Sequence, residues 1–120
     1  MKYDLEERLI NFAVRIIHVT EALPNTHMGK HVAGQIGRSG TSPAANYGEA
    51  LGAESSADFI HKLKIAIKEL RETRVWLLII QKAEMIKPVS KLDDVLDENN
   101  QLIAIFISSI ETAKKNAAKK

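Results

Sequence analysis

Apolar residues recur at intervals of three and four along most of this chain, and that interval is the period of an α-helix. The first such segment covers about residues 4–22 and continues into Leu23, with intervals of 4, 3, 4, 3 and 4 between Leu5, Leu9, Phe12, Ile16, Val19 and Leu23. Pro24 and Asn25 follow and predict the end of this helix. Since four segments of this kind and no strand pattern are present, the sequence predicts an all-α protein.

A second helical segment, about residues 28–53, is rich in small residues. All six glycines of the chain lie between Gly29 and Gly52. Each glycine weakens an isolated helix by about 1 kcal/mol. A row of small residues at helical spacing nevertheless lets a second helix pack closely, and the row here is Ala33, Gly37, Gly40, Ala44, Gly48 and Gly52. Pro43 lies inside the segment and predicts a kink there, or a split into two helices.

Two further helices complete the predicted fold. The third, residues 56–82, follows Ser55, and Asp58 stands where a capping box places its acid. The fourth is expected to start after residues 88–90 and to reach about Ala113, and residues 114–120 are expected to form a disordered basic tail. Four helices with short connections favour one antiparallel four-helix bundle domain over residues 1–120.

Two stretches are apolar around the whole helix circumference, and both indicate self-association. They are residues 75–80 and 102–107. A helix that is apolar on every side must be covered on every side, which one four-helix unit does not provide. The residues predicted to form an oligomer interface are Val75, Trp76, Ile79, Ile80, Ile105 and Phe106. The alternative is that one of these faces packs under a loop of the same chain.

Composition excludes several classes of protein. The chain has no cysteine, which excludes disulfide scaffolds, thiol catalysis and cysteine-based zinc sites. No apolar run reaches the length of a membrane span, and no secretory signal is recognised, so we expect a cytoplasmic protein that does not bind membranes. The net charge of +2 on 120 residues depends largely on the lysines after residue 113. The chain therefore lacks the broad positive field of a protein that coats DNA.

A stripe of basic residues on the third helix is the candidate nucleic-acid-binding site. It consists of Lys64, Lys68, Arg71 and Lys82, which lie within a narrow arc at helical spacing. Together with the lysine-rich tail, this stripe is suited to bind the phosphates of RNA or DNA without contacting the bases. Aromatic residues make up only 5% of the chain, which argues against stacking on unpaired bases. The alternative is a solvated helix face with partners such as Glu72.

Catalysis and metal binding find little support in the sequence. His27 and His31 are spaced i, i+4, and Asp58 and His61 are spaced i, i+3, but no Glu-x-x-His motif of a bundle di-metal site is present. No nucleophile with an adjacent base is evident. We therefore predict neither an enzyme nor a metal or cofactor site, and a small metal-binding bundle remains the weaker alternative.

The middle of the chain resembles a known family. The resemblance is carried by residues 38–50, with the sequence RSGTSPAANYGEA, by residues 53–55 and 58–63, and by residues 66–73, with the sequence AIKELRET. These segments resemble the bacterial four-helix-bundle proteins that are encoded in intervening sequences of 23S ribosomal RNA genes and are sometimes labelled a ribosomal protein family. The accessory protein of diversity-generating retroelements, a basic pentamer that binds nucleic acid, looks like a relative.

The resemblance, which spans about residues 5–110, has consequences for assembly and for the polar residues. It implies an antiparallel four-helix bundle that assembles as a ring-shaped homopentamer. It also places the family's polar signature on Arg38, Ser42, Asn46, Glu49 and Glu72. We interpret these residues as a structural polar network that fixes helix register or a subunit contact; the alternative is a small pocket for an anion or a nucleotide.

Sequence and resemblance together lead to one main hypothesis for function. The chain is a non-enzymatic oligomeric scaffold that contacts nucleic acid through its basic stripe. The alternative is a protein–protein interaction module that binds no nucleic acid, with an unidentified partner.

Overall fold

The computed structural model describes residues 4–119 and confirms four helices packed antiparallel into a bundle. Their bounds are Leu5–Ala22 for α1, His27–Leu51 for α2, Ser56–Lys82 for α3 and Asp93–Ala118 for α4. A short 3₁₀ turn, Val89–Leu92, leads into α4. None of these helices combines the length and the apolar character that a membrane span requires.

Three of the helices begin at a side chain that caps them. Asp4, Thr26 and Ser55 each accept a hydrogen bond of 3.0 Å from the backbone N–H three residues later. Each bond satisfies one of the amide donors that a helix leaves unpaired in its first turn. Such a cap stabilises its helix by about 0.5–2 kcal/mol, and these residues set the starts of α1, α2 and α3.

The core follows the helical spacing that the sequence shows. Its largest fully buried side chains come from all four helices and include Phe12, Ile36, Leu70 and Phe106. α1 packs on α2, α2 on α3 and α3 on α4, whereas α1 and α4 meet over a smaller contact. α1 and α3 do not pack against each other and therefore lie diagonally across the bundle.

The small residues of α2 permit a close approach of α1 at one position. A Cβ atom on Gly40 would lie 2.7 Å from both branches of the Ile16 side chain. Gly34, in contrast, has open space where its Cβ would be. Gly37 and Gly48, which belong to the row, would place a Cβ atom at ordinary contact distances of 3.7 and 3.5 Å from the nearest neighbour. The row is therefore a packing requirement at Gly40 and not along its whole length.

α2 and α4 are both continuous where the sequence predicts a break or a disordered end. α2 runs unbroken from His27 to Leu51 with Pro43 buried inside it, so the helix is not split, and a kink at Pro43 stays a prediction. α4 continues to Ala118, which differs from the disordered tail expected over residues 114–120. Alanine and lysine, which dominate these last residues, are strong helix formers, and this explains the extension. Residue 120 lies outside the described residues.

Candidate functional site

The outer face of α3 is basic in its first half and apolar in its second half. Lys64, Lys68 and Arg71 are exposed and are followed on the same face by Val75 and Ile79, at intervals of four, three, four and four residues. Val75 is 50% exposed and Ile79 is 39% exposed. One continuous surface of the bundle thus carries three exposed cations, then two bare apolar side chains, and ends at the exposed Lys82.

A groove lies between the basic half of α3 and the end of α4. Its volume is about 480 Å³, and it is lined by Lys64, Ile67, Lys68, Arg71, Ile107, Ile110, Glu111 and Lys114. The isoleucines form an apolar floor, with Ile67 and Ile110 nearly buried at 8% exposure each. Four cations and one carboxylate line the groove, which gives it a net positive charge. We call it the basic groove.

The predicted basic stripe is only partly assembled at this groove. Lys64, Lys68 and Arg71, which share one arc of α3 by their spacing, line it, but Lys82 does not. Lys82 follows Arg71 by eleven residues, which is about 16 Å along the helix axis, with the apolar residues Val75 and Ile79 between them. Lys114, which falls in the tail expected to be disordered, takes the fourth place instead.

The predicted polar network separates into three local groups. Arg38 donates to Glu69 at 2.7 Å and to Glu72 in a second, short contact. The Asn46 amide donates to the Ser42 hydroxyl and backbone carbonyl, at 3.0 Å each. Glu49 is not part of the Asn46–Ser42 group. It faces α3, where its carboxylate accepts a hydrogen bond from Lys62 at 2.8 Å. Each group ties two turns or two helices together, and no network runs through all five predicted residues.

Charge pairing shifts the pKa values of three side chains in these clusters. The hydrogen bond from Arg38 holds the pKa of Glu72 below its usual value, against a smaller opposing effect of burial. The pKa of Arg38 is raised, first by Glu72 and then by Glu69. The pKa of Lys62 is raised by its hydrogen bond to Glu49. The charged forms of these residues are therefore favoured in the folded protein.

The polar residues that are fully buried in the described part of the chain are not those of the predicted polar network. Ser39, Thr73 and Asn99 are fully buried. The hydroxyls of Ser39 and Thr73 are hydrogen-bonded at 2.9 Å between α2 and α3. The Asn99 amide of α4 donates to the Leu70 carbonyl of α3 at 3.1 Å. The sequence prediction missed all three, because a single Ser, Thr or Asn on an apolar face gives no signal of its partner.

The histidines show no metal-binding arrangement. His31 lies edge-on to the Trp76 ring, with ring centroids 6.0 Å apart and planes at 78°. Within residues 4–119 no three His, Asp or Glu side chains are grouped so that they could hold a metal ion. In the described part of the chain, His27 and His31 therefore have no third side chain with which they could bind a metal ion.

The comparisons with known proteins identify the family. A family model described as the 23S rRNA-intervening sequence protein matches residues 1–108. This chain belongs to the 23S rRNA-intervening sequence protein family. It is also similar to a crystal structure of a protein with unknown function from the S23 ribosomal protein family of Bacteroides thetaiotaomicron. That match has 36% identity and a TM-score of 0.83, and it covers 89% of this chain and 98% of the other. No curated protein matches the chain.

The match to the 23S rRNA-intervening sequence family ends before the helix does. The family model stops at residue 108, while α4 continues to Ala118. Ile110, Glu111 and Lys114 of the basic groove lie in this additional stretch. Of the α4 residues that line the groove, all but Ile107 thus lie beyond the residues that the family model matches.

The predicted oligomer interface is corrected at two of its six residues in this family member. Ile80 and Phe106 are fully buried in the core of one chain and offer no surface to a second copy. Trp76 and Ile105 are half-buried against the core. A run of six apolar residues is shorter than two helical turns, so it does not reveal which of its side chains point inward.

The exposed apolar surface also includes residues that the sequence prediction missed. Ile10, Val14 and Ile17 of α1 are 50%, 43% and 45% exposed, and their intervals of four and three place them on one outer face. Ile107 of α4 is also 39% exposed. The signal was present as a second apolar stripe beside the core stripe of α1.

Proposed function

We propose that this protein is a non-enzymatic scaffold that assembles from several copies and binds the phosphate backbone of duplex nucleic acid. The observation that supports the proposal is the division of the outer face of α3 into a basic and an apolar half. Contacts between copies through the apolar half would place the basic halves side by side in a regular array. Several weak phosphate contacts then act together, which raises the apparent affinity.

Assembly is supported by two unlike apolar surfaces. One surface is on α1, at Ile10, Val14 and Ile17, and the other is on α3, at Val75 and Ile79. These helices are diagonal in the bundle, so the two surfaces face away from each other. Contact between two different surfaces is head-to-tail and generates a ring when the rotation closes. A ring of five is what the resemblance to the family implies.

Phosphate binding is supported by the state of the cations in the basic groove. Elsewhere on the bundle, Arg8, Arg38 and Lys62 are engaged by carboxylates. In the described part of the chain, no salt bridge involves Lys64, Lys68, Arg71 or Lys114, and Lys68 acts on Glu72 only through its charge, which helps to lower the pKa of that carboxyl. These cations can therefore pair with an anionic partner. The proposed kinship with the accessory protein of diversity-generating retroelements agrees with such a role.

A duplex is favoured over a single strand. The groove lining contains no aromatic side chain on which an unpaired base could stack. Binding through phosphates alone is independent of sequence and strongly dependent on salt.

Fluorescence anisotropy of a labelled duplex, measured over a series of salt concentrations, tests this proposal. The variant K64A/K68A/R71A is expected to bind more weakly and to lower the slope of log K against log salt by about 3, or about 1 per cation. The control K30A/K87A/K91A removes three exposed lysines outside the groove and is expected to retain most of the binding. Equal losses in the two variants would contradict the proposal.

A protein-binding role is the second candidate. The exposed apolar face of α1 favours it, since bare apolar side chains are typical of protein interaction sites. An assembled wild-type protein that binds no duplex at low salt would support this candidate over the first.

A further inference from the structure

We infer that the last turns of α4, residues 109–118, complete a two-walled groove that holds one strand of a nucleic-acid duplex by its phosphates. This inference rests on the proposed function and adds the element that gives the site its shape. α3 alone would offer a row of cations on a convex helix surface. Lys114 of α4 lines the groove together with that row and with Ile67 between the helices.

The spacing of the cations on the α3 wall fits a phosphate chain. Lys64, Lys68 and Arg71 span seven residues, which is about 10.5 Å along the helix axis. One strand of B-form DNA carries a phosphate about every 3.4 Å along its axis. Because the strand winds around this axis, neighbouring phosphates lie farther apart than their axial rise. The row therefore extends over about two consecutive phosphates, and Lys114 would reach the same strand from the other side of the groove.

The apolar floor and the acidic residue of the groove also affect which ligand it can bind. Ile67, Ile107 and Ile110 present an apolar base between the charged walls. A sugar–phosphate chain is complementary to this arrangement because its sugars are less polar than its phosphates. Glu111 also lines the groove and opposes a polyanion. Removal of its charge is therefore expected to tighten binding.

Two adjacent lysines provide a matched control. Lys114 lines the groove, whereas Lys115 is exposed and does not line it. Neighbouring residues of a helix point about 100° apart. The substitutions K114A and K115A remove the same charge from the same turn. A difference in duplex affinity between them is therefore due to the position of Lys114 in the groove and not to the net charge.

The experiment measures duplex binding by anisotropy over a salt series for the wild type, K114A, K115A and E111Q. K114A is expected to weaken binding severalfold more than K115A and to lower the salt slope by about 1. E111Q is expected to tighten binding, while E54Q, on an exposed acid outside the groove, leaves it unchanged. Circular dichroism and light scattering should show unchanged helix content and mass in all variants.

Each other outcome overturns the inference in a distinguishable way. Equal effects of K114A and K115A, with binding still lost in K64A/K68A/R71A, would remove α4 from the site and leave the proposed function in place. Absence of wild-type binding at low salt would overturn both. Displacement of the labelled duplex by poly-glutamate as readily as by unlabelled duplex would show a site for acidic chains in general, and would overturn the assignment to a phosphate backbone.

Discussion

Among the described residues, Asn99 has a fully buried amide oxygen without a hydrogen-bond partner. The orientation of the amide is nevertheless determined, because its nitrogen must face the Leu70 carbonyl, to which it donates. An unpaired buried acceptor costs about 1–3 kcal/mol relative to a paired one. The Asn99 side chain thus joins α4 to α3 through one hydrogen bond, from its amide nitrogen to the Leu70 carbonyl.

Asn99→Asp is expected to destabilise the protein by about 3 kcal/mol or more at neutral pH, because it buries a charge and places an oxygen against the Leu70 carbonyl. The loss should shrink at acid pH, where a protonated carboxyl can donate in place of the amide. Asn100→Asp is the control, since Asn100 is exposed. Chemical denaturation of both variants measures the difference, and equal stabilities would refute this role of Asn99.

The Arg38–Glu72 pair predicts a pH dependence of stability. The pKa of Glu72 is lowered in the folded protein. The ionised carboxylate therefore contributes fully to folding stability above the unfolded pKa of about 4.3. This contribution is lost as the pH falls through the lower pKa of the folded state. The stability difference between wild type and Glu72→Gln should therefore be largest near pH 7 and shrink below pH ~4.

Trp76 provides a local measurement for this prediction. Its ring nitrogen donates to Glu72 at 3.1 Å, and it is the single tryptophan of the chain. Denaturation followed by tryptophan fluorescence between pH 7 and pH 3 compares the two proteins. A difference that stays constant over this range would mean that Arg38 does not hold Glu72 ionised.

At the scale of the elements, the contact of α1 with α2 depends on one glycine. Gly40→Ala would place a methyl group 2.7 Å from Ile16 and is expected to cost about 1–3 kcal/mol by overpacking. Gly34→Ala has open space and should stabilise α2 by up to about 1 kcal/mol, the difference in helix propensity. Thermal denaturation should show the two changes in opposite directions. Two shifts of the same sign would contradict close packing at Gly40.

The helices were largely predictable from the sequence because their signals are local. The spacing of Leu5, Leu9 and Phe12 and the cap at Ser55 act within one or two turns, and the structure places α1 and α3 accordingly. The end of α4 was not predictable in this way. A lysine-rich segment without apolar spacing is typical of a disordered tail, yet its alanines and lysines also extend a helix that is already formed.

The candidate site was predictable on one helix and not between helices. Lys64, Lys68 and Arg71 share a face by spacing alone, which the sequence shows directly. Lys114 joins them through the packing of α4 on α3, and no interval along the chain encodes that contact. The interface prediction failed at Ile80 and Phe106 for a related reason, since only packing decides which side of an apolar run is buried.

At the scale of the whole molecule, the bundle leaves two apolar faces uncovered within residues 4–119. The core stripes of the four helices are satisfied within one chain. The outer stripe of α1 and the second half of α3 are not. In the proposed assembly, contact between these unlike faces on diagonal helices would repeat the basic groove once per subunit.

Light scattering of the purified protein at micromolar concentration is the most direct test of this account. The wild type is expected at a multiple of 13.3 kDa. The variant V75D/I79D should shift toward the monomer mass, because both side chains are exposed in the single chain. The variant A57D/H61D, with the same spacing at two exposed positions of α3, should keep the wild-type mass. A wild-type protein at 13.3 kDa would contradict the claim that these apolar faces join copies of the chain.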